Sequence, residues 1–423
     1  VYTRQTESDA FSEAIAADIL AAGPATSCVP AANFADCPAF DKIGQKDVTQ
    51  GLTRLRLEAD LRISRWLSAF VSYDNDLRFG QIQTLESTLS SGFQADDFLG
   101  AESRLSSDSQ HEWNHRLYRG FLRVETERFE FNVGRQRIAW GVGRLWTPID
   151  RFSALPPLNL QPDVTQGIDS FDGRFNFDGF NYLQFVYAPG DRRQRERWAI
   201  RLHGVARNTD YSAMAGVFEG APTFGIDLAR NLFEGAIGVE AVFTSPRREV
   251  WKIGDAAAKE LSDYWQVVAS FDLNLDVGSG IHLLAEYLYN GNAFGFGSGR
   301  AGPLLPLFEA TNVLPDAALA GLAIPAPYAA AGSRELFGSS RIITNAEHQL
   351  GFQIGTDLTP EMRVDFVTLV DLDGSSAAFF PNLRYSPLDP LELTLGVQFF
   401  AGPKRSQYGN SEPLVHLLAD WFF

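Results

Sequence analysis

Along most of this chain, apolar and polar residues alternate with a period of two. Residues 52–63 set Leu55, Leu57, Ala59, Leu61 and Ile63 on one face and Arg54, Arg56, Glu58, Asp60 and Arg62 on the other. Successive side chains of a strand point to opposite faces, so this ladder predicts a strand with one apolar and one polar side. After a minimal turn at Ser64–Arg65 the pattern returns, with Leu67, Ala69, Val71, Tyr73 and Leu77 opposed to Ser68, Ser72, Asp74, Asp76 and Arg78. Later ladders set Trp198, Ile200 and Leu202 against Arg197, Arg201 and His203, and Trp265, Val267, Ala269 and Phe271 against Gln266, Ser270 and Asp272. Near the end, Leu391, Leu393, Leu395 and Val397 alternate with Glu392, Thr394 and Gln398. The chain reads as all-β.

Two architectures present such strands. A soluble sandwich turns the apolar face inward; a transmembrane antiparallel β-barrel turns it to lipid and the polar face to the lumen. The predicted strands run about 9–13 residues, the length of a tilted membrane crossing. Aromatic residues gather toward strand ends, as at Phe79, Trp113, Phe129, Trp140, Tyr187, Tyr287, Tyr289 and Phe399, where interfacial girdles belong. These features favour the barrel.

About 18 strands are expected, with 16 as the other possibility. They lie near 1–12, 51–63, 66–79, 113–125, 129–140, 168–177, 180–188, 196–206, 210–219, 222–230, 233–244, 263–275, 280–290, 346–358, 362–371, 376–386, 391–400 and 412–423. Short turns and long connections then segregate to opposite sides. The long ones, near 13–50, 80–112, 141–167, 245–262 and 291–345, fall outside the cell. The whole of 1–423 is expected to be one barrel domain.

Composition narrows the function classes. Net charge is −16, so the basic footprint of a nucleic-acid binder is missing. No apolar run reaches the ~20 residues of a helical span, and no hydrophobic core of a leader is visible at the start, as expected for a mature or trimmed form. The six histidines are scattered and read as rim or interfacial groups. No Gly-flanked nucleophile, phosphate loop or acidic metal cluster stands out, so neither catalysis nor a cofactor is expected. Cys28 and Cys37 share the first long outer loop. A metal pair would want neighbouring histidines, which are absent, and a loop-closing disulfide is the favoured reading.

Function is expected on the polar face. Of the 36 basic residues, 31 are Arg and 5 are Lys. Arg54, Arg56, Arg62, Arg119, Arg123, Arg174, Arg197 and Arg201 map to lumen-facing positions. Arg135 and Arg137 lie in the Gly134–Gly141 segment, where alternation breaks and a bulge would re-aim them. Acids share the lumen, among them Asp74, Asp76, Asp272, Glu286 and Asp365. These charges read in two ways. They form pairs that stiffen the wall, or a pathway for anions, which guanidinium binds through its fork; both readings hold together.

Two resemblances add to this. The last strand alternates Val415, Leu417, Ala419, Trp421 and Phe423 with polar and apolar neighbours and stops at Phe. It resembles the closing strand of bacterial outer-membrane barrels, whose terminal aromatic is read by the barrel-insertion machinery. The run Gly134-Arg-Gln-Arg-Ile-Ala-Trp-Gly-Val-Gly-Arg-Leu-Trp-Thr-Pro-Ile-Asp150, followed by Gly167-Ile-Asp-Ser, resembles alginate-export-like outer-membrane barrels. The likeness is sharp over about 134–177 and architectural elsewhere. It implies an 18-stranded porin with an arginine-rich conduit and loops folded into the lumen. The acidic lumen positions of the second half depart from a conduit for alginate itself. Expected surroundings are outer-membrane lipid and lipopolysaccharide. The alternative is a plugged structural barrel whose outer loops hold a protein partner.

If Cys28 and Cys37 close a loop, a non-reducing digest will yield their peptides joined, and reduction will leave the barrel folded. Two free thiols in that digest count against the pairing.

Overall fold

The computed structural model describes residues 2–7, 46–80, 98–107, 111–153, 167–190, 196–218, 220–245, 250–251, 259–260, 263–291, 293, 344, 346–403, 406–409 and 413–423. Alternation produces the strands where it was expected. β1 (Tyr2–Glu7), β2 (Lys46–Arg62) and β3 (Leu67–Gly80) precede a short β4 (Glu102–Ser107) and β5 (His111–Glu125). β6 (Phe129–Gln136), β7 (Ile168–Asn176), β8 (Tyr182–Ala188) and β9 (Arg197–Ala206) follow. Next come β10 (Thr209–Phe218), β11 (Ala221–Leu232), β12 (Gly235–Thr244) and a minimal hairpin of β13 (Val250–Trp251) and β14 (Lys259–Glu260). β15 (Tyr264–Leu275), β16 (Ile281–Asn290), β17 (His348–Thr359) and β18 (Met362–Asp371) continue the wall. β19 (Ser376–Leu388), β20 (Leu391–Ala401) and β21 (Leu414–Trp421) complete it.

Leaving out β4, β13 and β14, 18 of these 21 strands pair antiparallel, each with its neighbours in sequence. The ring closes because β1 pairs with β2 on one side and β21 on the other, Arg4 standing opposite Val415. Closure matters in hydrocarbon, where an unpaired strand edge has no water to satisfy it.

The two faces are told apart by what they reach. Arg151, Glu240 and Glu286 meet groups far along the chain across the ring, so their face is the inner one. The opposite face presents Leu55, Leu57, Val133, Ile200, Ile226, Phe352, Leu395 and Leu417 outward, exposed and apolar. Such a belt around a closed ring is the surface of a membrane-spanning barrel.

Short turns join the strands at one end. Asp178 shapes the β7–β8 turn, taking the N–H groups of Phe180 and Asn181 at 2.8 Å each. These bonds hold its carboxyl below the ordinary aspartate range. The β9–β10 turn places Arg207 and Asn208 at φ 53° and 59°, the left-handed geometry of the tightest hairpins.

The structure departs from the expected boundaries in several places: β2 begins at Lys46, inside the loop expected over 13–50, and the β13–β14 hairpin lies in the loop expected over 245–262. The strand expected to reach 140 ends at Gln136. Gly134 has φ 129°, a conformation reserved for glycine, and the chain swings inward behind it. The connection expected between the strands 376–386 and 391–400 is tighter, because β19 runs to Leu388 with an irregular register near Tyr385. Part of the loop expected over 80–112 is strand. β4 pairs with β5, Glu102 opposite Arg116 and Ser107 opposite Glu112, beyond the last β5–β6 pair at Gly120 and Arg135. The returning segment therefore covers the wall that β6 has left. Cys28, Cys37 and the stretch 294–343 lie outside the described residues.

A detergent-folded sample is expected to give a strand-dominated circular dichroism spectrum and to migrate faster unboiled than boiled. Gly134→Val, which forces a branched residue into a strained conformation at a cost of roughly 1–3 kcal/mol, is expected to lower the temperature at which the fast band is lost.

Candidate functional site: the lumen

The segment 137–153 lies inside the barrel, and two carboxylates on the far wall hold it there. Glu240 of β12 accepts the backbone N–H groups of Val142 (2.5 Å) and Gly143 (2.7 Å) on Oε1 and that of Ile149 (3.2 Å) on Oε2. Glu286 of β16 accepts those of Arg144 (2.9 Å), Leu145 (3.1 Å) and Trp146 (2.7 Å). Six donors that would otherwise be buried without partners are satisfied by two side chains. Arg151 adds bonds to Gln266 (2.5 Å) and Thr244 (3.3 Å). Asp150 turns the segment by accepting the N–H of Ser153 at 2.9 Å.

Apolar contacts complete the docking. Ile138, Trp140, Ile149 and Phe152 pack on Val186, Ala199, Met214, Phe218 and Val242. Trp146 packs on Val268, Leu288, Leu369, Phe380 and Tyr408. Small wall residues make room: a Cβ at Gly351 would strike Leu145 and Trp146. The segment narrows the lumen from one side.

The opposite wall carries the arginines. Arg54 forks onto Asp76 (2.7 and 2.9 Å), and Arg56 onto Asp74 (2.6 and 2.9 Å), each pair directly across β2 and β3. Arg116 of β5 adds a third guanidinium on Asp74 at 3.2 Å. Arg56 lies 3.6 Å over the ring of buried Tyr118, with Arg119 at 4.9 Å. Further round, Arg123 bonds Asn132 (2.9 Å) and approaches Glu130 (3.7 Å), which Arg174 also approaches at 3.7 Å. Arg123 and Arg174 keep 42% and 34% of their side chains exposed, enough to meet a solute. Arg62 and Arg137 are exposed as well.

Among the expected positions, Asp74 and Asp76 are buried beneath their arginines, and three of the arginines are closed off. Arg135 is 1% exposed, forked onto Asp169 at 3.0 and 2.9 Å with a further bond to the Leu117 carbonyl. It clamps the seam where β6 leaves the wall, and Leu99 N–H donates to the same Asp169. Arg197 is buried against the Phe152 carbonyl (3.4 Å) beneath the inward segment. Arg201 is buried against Ser212 (3.0 Å) and Asp227 (3.5 Å). Trp421 and Phe423 stand exposed on the outer side of the last strand. His115 and His348 face outward too, each bonded to a tyrosine, Tyr73 and Tyr287 respectively.

Sequence reasoning missed Glu240, and it counted Glu286 only as one lumen acid among many. The signal for Glu240 was its row: Gly238, Val242 and Thr244 share its face, so a lone carboxylate stood among small and apolar neighbours. Tyr118 was missed because β5 shifts register between its pairings with Ser72 and Tyr73. Phe70 and Phe121, rings 5.5 Å apart, were missed as apolar residues on the inner face.

Fold and interior together define a membrane-spanning β-barrel of 18 strands whose lumen is narrowed by an inward segment. A solved structure shares the fold. The chain is similar to OccAB3 of Acinetobacter baumannii, with TM-score 0.51 and 10% identity, over 100% of this chain and 96% of that one. OccK8 (OprE) of Pseudomonas aeruginosa aligns with TM-score 0.48 and 9% identity, over 89% of this chain and 93% of that one. No family model and no curated protein sequence matches the chain.

Bonds from N–H to a charged acceptor contribute roughly 1.5–3 kcal/mol each, so losing all six at once tips the segment from docked to undocked. Glu240→Ala combined with Glu286→Ala is expected to raise single-channel conductance severalfold and to expose Trp146 to quenchers. Gly351→Leu, which displaces Leu145 and Trp146 without touching a charge, is expected to act in the same direction.

Proposed function

We propose that this protein is an outer-membrane channel for passive diffusion of small anionic solutes. The observation that carries the reading is the placement of partly exposed guanidiniums, Arg123, Arg137, Arg144 and Arg174, around a lumen narrowed by a pinned segment. A narrow passage between low-dielectric walls strengthens the field of each charge, concentrating anions and repelling cations. Arg54 and Arg56 are ion-paired with Asp76 and Asp74 yet keep part of their side chains exposed to the lumen. The resemblance of 134–177 to alginate-export-like barrels supports a conduit with an inward loop, and the acids of the second half favour small solutes over a long polyanion. Around the barrel, the apolar belt would meet outer-membrane lipid and lipopolysaccharide, and Trp421 and Phe423 would be read by the insertion machinery.

Reversal potentials in planar bilayers under a salt gradient test this. Modest anion preference is expected, weakening with salt as screening shortens the reach of each charge to ~10 Å at 0.1 M. Replacing Arg119, Arg123 and Arg174 together by Ser is expected to shift the reversal potential toward cations while the fast-migrating folded band persists. A wild-type barrel that carries no current would instead favour a plugged barrel with a partner on its outer loops.

A further inference from the structure

Arg144 differs from the other arginines in the lumen. Its backbone is fixed through Glu286, yet its side chain is 70% exposed, against 42% for Arg123 and 47% for Arg384. Its acidic neighbour is Asp272 of β15, with Nε 3.8 Å from Oδ2. The other oxygen of Asp272 lies 3.1 Å from Nε2 of His282 on β16. One carboxylate thus stands between a guanidinium and an imidazole.

The surroundings of His282 hold few other charges. Asn274 stands opposite it on β15 and Gly355 on β17. Beyond Gly355, which leaves the space a side chain would fill, lie Arg363 and Asp365 of β18, ion-paired at 2.9 Å. Asp357 of β17 holds the same arginine at 3.2 Å. Glu286, on His282's own strand, is committed to the N–H groups of the inward segment. Imidazole is the side chain among these whose ordinary titration falls between pH 5 and 8.

We propose that Arg144 sets the ion preference at the constriction and that His282 regulates it by competing for Asp272. The inference rests on the channel reading above. With His282 neutral, Asp272 offsets Arg144. With His282 protonated, Asp272 is drawn to the closer, charge-assisted partner, and the longer contact to Arg144 yields. The constriction gains one uncompensated positive charge. Acidification therefore raises anion preference through one residue, where a general loss of carboxylate charge would act through many.

Reversal potentials at pH 8 and pH 5.5 test the competition. A unit charge several ångströms from the ion path changes the local concentration of each monovalent ion about twofold, in opposite senses for anion and cation, once salt screens it, so the wild-type anion-to-cation permeability ratio is expected to rise roughly fourfold on acidification. His282→Gln is expected to remove most of that rise. Asp272→Asn is expected to raise the ratio above wild type at pH 8, and Arg144→Gln to lower it below wild type at both pH values. A His282→Gln channel that keeps the full wild-type rise, from His203, His416 or the carboxylates, overturns the proposal, as does an Arg144→Gln channel with the wild-type ratio. A wild-type protein without current overturns the channel reading. The Asp272–Arg144 contact is then read separately, by phenylglyoxal labelling of the folded protein at pH 8 with peptide mass spectrometry. Arg144 is expected to label faster in Asp272→Asn than in wild type, and equal rates overturn the pairing.

Discussion

Two glutamates on the far wall determine what the interior of this barrel is. A segment of backbone inside a lumen carries N–H groups that must find acceptors, and the ladder cannot supply them because every wall strand is already paired. Glu240 and Glu286 each take three. Without them the apolar side of 137–153 would still favour docking on Val186, Val242 and Leu288, but its backbone would have no reason to take one path. The bonds choose the path, the packing contributes most of the buried area, and the position of Arg144 follows from both.

Much of this was legible in the alternation. The ladders located all 18 wall strands, including the pair at 209–232, and told outside from inside correctly on β2, β3, β9 and β15. What alternation cannot show is where a strand stops pairing and departs. Residues 137–140 look like the continuation of β6, and only the backbone at Gly134 and the acceptors across the lumen divert them. Arg201 reads as a lumen arginine by parity, and Arg135 as one re-aimed by a bulge. Whether an inward-facing arginine meets water or is covered depends on neighbours 10 to 50 positions away, such as Asp169, Ser212 and Asp227. Glu240 is a tertiary fact of the same kind.

The arginines of the interior divide into two physical sorts. Arg54, Arg56 and Arg135 are forked onto carboxylates at 3.0 Å or less and fix strands to one another, so replacing them would be felt first in stability. Arg123, Arg144 and Arg174 touch their acids at 3.7–3.8 Å and keep open faces. Contacts this loose contribute little to folding. The chain thereby separates groups that hold the tube together from groups free to act on what passes through it.

The seam between β1 and β21 has a consequence in time. Neighbouring strands from β2 to β20 are joined by connections of at most 57 residues, the longest running from Asn290 to His348, but the joint of Arg4 with Val415 spans nearly the whole chain. Ring closure over that span costs about 5 kcal/mol of chain entropy if attempted first, and almost none once the intervening strands have assembled in order. The joint is therefore the last to form. A chain cut short by one strand is not a slightly narrower tube. It is a curled sheet with two raw edges and nothing in the hydrocarbon to pair them.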